Sequence, residues 1–171
     1  KRLSYQKFHT LFIKRGLIHK AVQIAGNEKL LDVGYGKLGD MPSWKANDVK
    51  FIFGFDSNMN NLDLATEIYK ETVKPKPNVI LVHGDFGKLI YPDYRAGLDE
   101  TAKTLMNTYL LAKNQFDIVS CQFALTYFYD NEITIRTFLQ NVSDSLKIGG
   151  CLITTCFDGK RVMELLTKKS I

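Results

Sequence analysis

The stretch Leu31-Asp32-Val33-Gly34-Tyr35-Gly36-Lys37-Leu38-Gly39-Asp40 decides how this chain folds. It reads as a short buried strand, KLLDV from Lys29 to Val33, running into a glycine loop from Gly34 to Gly39, with a helix starting near Pro42. Gly34, Gly36 and Gly39 satisfy a G-x-G-x-x-G spacing, and Asp56 sits at the end of the next strand. Such a loop makes a tight turn, lets backbone approach a ligand closely, and is followed by a carboxylate suited to ribose hydroxyls. Taken alone, the pattern is also the dinucleotide fingerprint.

Outward from this loop, strand and helix signals alternate. Phe8, Leu11, Phe12, Leu17, Ile18 and Val22 recur at helical spacing and predict a helix from about Tyr5 to Ala25, closed by Gly26-Asn27. Further strands are expected at Phe51–Phe55 (FIFGF), Val79–His83, Phe116–Cys121 and Cys151–Cys156. Helices are expected from Asn58 to Val73, Asp99 to Ala112 and Glu132 to Leu146, with a last one from near Asp158. Lys147-Ile148-Gly149-Gly150 reads as a helix C-cap, residues 74–77 as a loop, and residues 84–95 as a longer loop. Alternation without hairpin signals implies right-handed βαβ units. The expected fold is α/β and Rossmann-like: one domain over residues 1–171, with a mostly parallel sheet and helices on both faces.

Composition agrees with that reading. The 171 residues are 45% hydrophobic and 24% charged, enough for one domain with a real core. No run approaches the ~18 uncharged apolar residues of a membrane span, and no signal-peptide core follows Lys1-Arg2, so an intracellular protein is expected. A first residue other than Met suggests a piece of a longer chain. Cys121, Cys151 and Cys156 fall in strand-like segments without metal-ligand spacing and are expected to be buried, reduced thiols. His9, His19 and His83 lie far apart in sequence and receive no catalytic or ligand role; no metal site is expected. The net charge of +5 points weakly to a polyanionic partner, although each lysine by itself reads as part of a solvated helix face.

The acids around the loop separate the cofactor classes. Asp32 precedes the first glycine by two positions and Asp40 closes the loop. Carboxylates there would repel a pyrophosphate aimed at a helix N-terminus. S-adenosylmethionine (SAM) has no phosphate and carries a sulfonium and an ammonium group, so the acids favour it. Asp32 also suits a hydrogen bond bracing the turn. Asp56 is placed to accept two ribose hydroxyls or to cap the following helix. Asp85 could take the adenine amino group or stabilise its own loop, with Phe86 offering a backbone amide or a ring wall.

Beyond the loop, the residues resemble a known family. LDVGYGKLGD resembles the LDLGCGKGGD loop of eukaryotic and viral mRNA cap (guanine-N7) methyltransferases. Phe116 to Tyr129, FDIVSCQFALTYFY, resembles their FDIVSCQFALHYSF segment, and Asn141 to Ile153, NVSDSLKIGGCLI, resembles their NVSERLRPGGYFI. Phe12-Ile13-Lys14 matches a W-I-K segment whose lysine binds the SAM carboxylate. LITTCFDGKRV is closer to the LITTMDG-type ending of poxvirus-like capping enzymes than to the cellular TTPN. The resemblance therefore points to the methyltransferase domain of capping enzymes of large DNA viruses, poxvirus- or asfarvirus-like. For a viral protein it implies host cytoplasm or virion as location.

The resemblance implies site residues only where motifs match. Lys14, Asp32, Gly34, Gly36, Asp56, Asp85, Phe86 and Gln122 would hold SAM, while Lys37, Phe123, Thr126 and Tyr127 would meet the cap. Thr126 replaces the family histidine, altering one guanine contact, and KLGD replaces KGGD, narrowing backbone freedom beside the cofactor. Phe123 and Tyr127 also suit core packing at a strand end. The implied reaction is methyl transfer to guanine N7 of the mRNA 5′ cap. N7 carries a lone pair at neutral pH, so no catalytic acid–base residue is required and alignment of the reactants does the work. Implied partners are the capped mRNA end and other domains or a stimulatory subunit of a capping enzyme. A methyltransferase on another substrate remains open, as does a catalytically silent SAM-fold module that binds RNA or protein. Sheets of this type continue past the fifth strand with a sixth and an antiparallel seventh, so a chain extending beyond Ile171 is expected.

Overall fold

The computed structural model describes residues 7–91, 98–110 and 112–168. A π-helical turn, His9–Lys14, leads into α1 (Arg15–Ala25). There follow β1 (Lys29–Val33), α2 (Met41–Ala46), β2 (Phe51–Asp56), α3 (Met59–Glu71) and β3 (Asn78–His83). After these come α4 (Glu100–Tyr109), β4 (Phe116–Gln122), a 3₁₀ turn at Leu125–Tyr129, α5 (Glu132–Ser145), β5 (Leu146–Thr155) and α6 (Gly159–Lys168). The expected start of the first helix at Tyr5 and residues 92–95 of the expected 84–95 loop lie outside the described residues.

The five strands form one sheet in the order β3-β2-β1-β4-β5, with every pairing parallel. Strand side chains alternate between two apolar faces, as a sheet covered on both sides requires. Leu31, Val33, Phe53, Phe55 and Val119 join Met106 of α4 and Phe138 of α5 on one face. Leu30, Ile52 and Ile118 join Ile18 of α1, Trp44 of α2 and Ala65 of α3 on the other. The chain order reverses between β1 and β4, so their carboxyl ends open a crevice at the switch point, where such sheets bind ligands.

Local signals explain the boundaries. Gly26 closes α1 at φ +104°, Asn58 caps α3 by accepting from the Asn60 N–H, and Asp99 caps α4 by accepting from the Ala102 N–H. Two expectations are corrected. Lys147–Gly150 is not a helix C-cap: α5 ends at Ser145 and the chain enters β5 at once. Between the pairs Phe116–Leu146 and Ile118–Cys151 the β5 side carries three more residues than β4, and the excess bulges out. Gly149 supplies φ +82° there, and a Cβ on Gly150 would come within 2.9 Å of the Asp117 carbonyl oxygen. The glycine pair serves a bulge, whose local sequence is the same as that of a cap. The cysteines also divide: Cys121 is buried, but Cys156 lies just past the last paired residue of β5 and is exposed.

Candidate active site

A cleft of about 970 Å³ lies over the carboxyl ends of the strands. The loop after β1 brings Gly34 and Gly36 to its wall, β2 ends there with Asp56, the turn after β3 brings Asp85 and Phe86, and β4 ends with Gln122 and runs on to Phe123, Thr126 and Tyr127. Residues expected at the cofactor and residues expected at the guanine therefore line one cavity.

The glycine loop is held by its neighbours. The Gly34 N–H donates to the Phe55 carbonyl at 2.7 Å. A Cβ at Gly34 would lie 2.5 Å from the Ala124 side chain, and its φ of +74° independently selects glycine. The Gly36 N–H donates to Asp56 Oδ2 at 2.8 Å, while Oδ1 accepts from the Asn58 N–H at 2.9 Å and from Asn61 Nδ2 at 3.1 Å. Asp56 thus performs the bracing role as well as facing the cleft. Asp85 does the same on a smaller scale, accepting from the Gly87 N–H at 2.8 Å. Gln122 is tied sideways to β5: its Oε1 accepts from the Thr155 hydroxyl at 2.9 Å. The Phe86 ring is a core ring, packed against Phe55 and Phe138.

On the guanine side, Phe123 stands at φ +61°, its N–H donating to the Thr155 carbonyl, while Tyr127 is 78% exposed and Thr126 is exposed beside it. The core-packing alternative therefore fails for Tyr127 and holds instead for Phe128, which stacks on Phe138. Among the described residues the charged ones lining this cleft are Asp56, Asp85 and Asp130, with no lysine or arginine. That field suits a cation and opposes a pyrophosphate.

Three expected residues stand elsewhere. Asp32 is buried beneath the loop and lines neither this cleft nor its neighbour; burial, reinforced by Asp40 and opposed by Lys14, pushes its carboxyl up to about 8. Lys37 is exposed on the loop, outside both cavities. Lys14 pairs with Asp40 at 2.6 Å, both largely buried, in an adjacent cavity of about 590 Å³ that shares Phe123 with the first. Lys14 Nζ also sits 6.0 Å from the centre of the Phe123 ring.

Two site-shaping residues were missed from sequence. Asn141, fully buried on α5, donates to the Phe86 and Lys88 carbonyls and accepts from the Ile90 N–H, so it clamps the loop that carries Asp85. An Asn on the buried face of a helix was the available signal. Tyr35 is buried against Gly54, where a Cβ would meet its ring at 2.7 Å; the glycine inside FIFGF makes room for a loop residue.

The sheet order, the crevice and the glycine loop define the Rossmann-like fold of SAM-dependent methyltransferases. A SAM-dependent methyltransferase from Clostridium acetobutylicum superposes with a TM-score of 0.61 at 17% identity, over 96% of this chain and 62% of that one. A protein from Pyrococcus horikoshii superposes at 0.65 and 18% identity, over 98% and 61%. Within this fold the chain belongs to the mRNA (guanine-N(7))-methyltransferase domain family, whose profile matches residues 4–170. The chain is 30% identical over 152 residues to a probable mRNA-capping enzyme of Acanthamoeba polyphaga mimivirus, covering 82% of this chain and 13% of that protein. It is 29% identical over 167 residues to the mRNA cap guanine-N(7) methyltransferase of Caenorhabditis briggsae, covering 95% and 41%. The chain thus spans less than half the length of these relatives. Among the described residues no helix is long and apolar enough to cross a membrane, and no three His, Cys, Asp or Glu side chains group as a metal site.

Proposed function

We propose that this domain transfers the methyl group of SAM to guanine N7 of the mRNA 5′ cap. The observation that carries the reading is the single cleft lined by Gly34, Gly36, Asp56, Asp85 and Gln122 together with Phe123, Thr126 and Tyr127. The residues fit the cofactor: a Cβ on Gly36 would point into open space, and among the described residues the lining charges are negative. When bound, SAM supplies a methyl group on a positively charged sulfur.

Gly34 and Gly36 would let backbone approach the nucleoside, Asp56 would hold a ribose hydroxyl with the Oδ2 lone pair left over from bracing the loop, and Asp85 would take the adenine amino group. Lys14 and Asp40 provide opposite charges for the amino-acid tail. Phe123 and Tyr127 present ring faces to guanine, and the exposed Lys37 meets the cap phosphates. The guanine N7 lone pair would take the methyl group as its bond to sulfur breaks, leaving S-adenosylhomocysteine and needing no general base, so the residues of the cleft would contribute by holding donor and acceptor in line. The aspartates around the cleft stabilise the positive charge that moves onto the guanine ring.

The test is transfer of labelled methyl from SAM to GpppA-capped RNA, to uncapped RNA of the same sequence, and to protein acceptors. Label recovered as 7-methylguanosine from capped RNA alone is the expected result. Label on any other acceptor in preference to the cap would overturn the substrate assignment. Failure to bind S-adenosylhomocysteine would overturn the cofactor assignment.

A further inference from the structure

The N-terminal helix is π-helical over His9–Lys14. In an α-helix, residues five apart lie roughly 140° apart around the axis. In a π turn the i→i+5 hydrogen bonds bring such positions toward the same side, and turns of this kind concentrate at functional sites. Here the two ends of the turn are His9 and Lys14, and both line the smaller cavity with Asp40, Phe123 and Phe157. Both also converge on Phe123: the His9 ring centre lies 4.3 Å from that of Phe123, and Lys14 Nζ lies 6.0 Å from it. Phe123 is itself held in a left-handed conformation by its bond to Thr155, so the histidine packs on a fixed platform.

His9 Nδ1 is buried and has no hydrogen-bond partner among the described residues. A polar ring atom shut away from water without a partner is rare, and calls for something that occupies the site. Lys14 is committed to Asp40 in a pair that is only 13% and 11% exposed. An α-amino acid group, anionic at one end and cationic at the other, is complementary to the two charges of this pair.

We propose that His9 is a second positioning residue for the amino-acid tail of SAM, donating from Nδ1 to the α-carboxylate that Lys14 neutralises. The inference rests on the reading of this domain as a SAM-binding methyltransferase. The role needs the neutral imidazole with its proton on Nδ1. Burial, with Lys14 acting in the same direction, lowers the His9 pKa and favours the neutral ring, while Asp40 opposes the shift.

The experiment compares two ligands on the full 171-residue chain: S-adenosylhomocysteine, which carries the amino-acid tail, and 5′-methylthioadenosine, which lacks it. His9→Phe keeps an aromatic ring on Phe123 and removes the donor; His9→Gln restores a donor. Loss of one hydrogen bond to a charged group predicts about tenfold weaker S-adenosylhomocysteine binding in His9→Phe. Binding of 5′-methylthioadenosine should not change, and His9→Gln should recover most of the loss. Equal weakening for both ligands would make His9 a packing residue, and undiminished S-adenosylhomocysteine binding would remove it from the site; either overturns the proposal. If the wild-type chain bound neither nucleoside, the SAM-binding reading itself would fall, and this inference with it.

Discussion

Gly36 donates its backbone N–H to Asp56 Oδ2 at 2.8 Å, so the carboxylate assigned to the cofactor ribose also closes the loop that precedes it. Binding and loop order are coupled through one side chain. Asp56→Ala should therefore lose more than Asp56→Asn, which keeps an acceptor for the Gly36 N–H. For Asp56→Ala we expect a loss of about 1–3 kcal/mol in S-adenosylhomocysteine affinity by calorimetric titration. Unchanged affinity in the folded variant would remove Asp56 from the cofactor site.

Asp32 carries a pH dependence. Its carboxyl rises from an ordinary value of 3.8 to about 8 in the folded protein, chiefly by burial and next through Asp40. The folded state then holds a proton that the unfolded chain releases, so stability from the neutral form is complete below 3.8 and is lost as pH rises through about 8. Asp32→Asn, a neutral mimic, should flatten that loss and melt above the wild type at pH 8, read by thermal unfolding at pH 5 and 8. A variant no more stable than wild type at pH 8 would contradict the burial argument.

Leu38 occupies the place of a glycine in the resembled loop and adopts φ +53° with its side chain 2% exposed. Left-handed geometry costs a non-glycine residue roughly 1–2 kcal/mol. Losing a buried leucine side chain costs about 2–5 kcal/mol. The second effect is larger, so Leu38→Gly should destabilise by about 1–3 kcal/mol in urea unfolding, despite relieving strain. A stabilised variant would show that the side chain contributes little to the packing around Trp44 and Met41.

Tyr127 is exposed on the 3₁₀ turn, so its removal should leave stability within about 0.5 kcal/mol of wild type. Tyr127→Ala should lower methyl transfer to capped RNA while S-adenosylhomocysteine binding persists. Parallel loss of both in titration and transfer assays would move the ring from guanine to cofactor.

Asn141 offers a test of loop support. Asn141→Leu removes the two donors to the Phe86 and Lys88 carbonyls and the acceptor of the Ile90 N–H, so buried backbone groups in the segment 86–90 lose these hydrogen bonds. Each such group costs about 1–3 kcal/mol. The expected result is a lower melting temperature together with faster amide exchange in residues 85–90. Exchange unchanged there would show the loop to be held by other contacts.

Four of the strands, the glycine loop and the acid at the end of β2 are legible in the sequence, because each is written in neighbouring residues, whereas β5 begins at Leu146, ahead of the expected Cys151. Apolar runs of five to seven residues bounded by turn formers specify buried strands, and glycine spacing specifies backbone that turns sharply. It also brought the family's segments into view, including QFAL before Thr126 and Tyr127. Which of these residues reach a cavity is set by packing between distant segments. Asp32 stands one residue before the end of β1 and Asp56 ends β2, yet the first is sealed under the loop and the second lines the cleft, since burial depends on the strands and helices packed alongside. The glycine pair 149–150 became a bulge because β4 fixes the register of β5. His9 and Lys14 share a cavity because the helix changes its hydrogen-bond step between them, which a 3.6-residue periodicity does not encode. Sequence period reports local geometry; the contacts that give a side chain its chemistry are made between segments far apart in the chain, and those are set by packing.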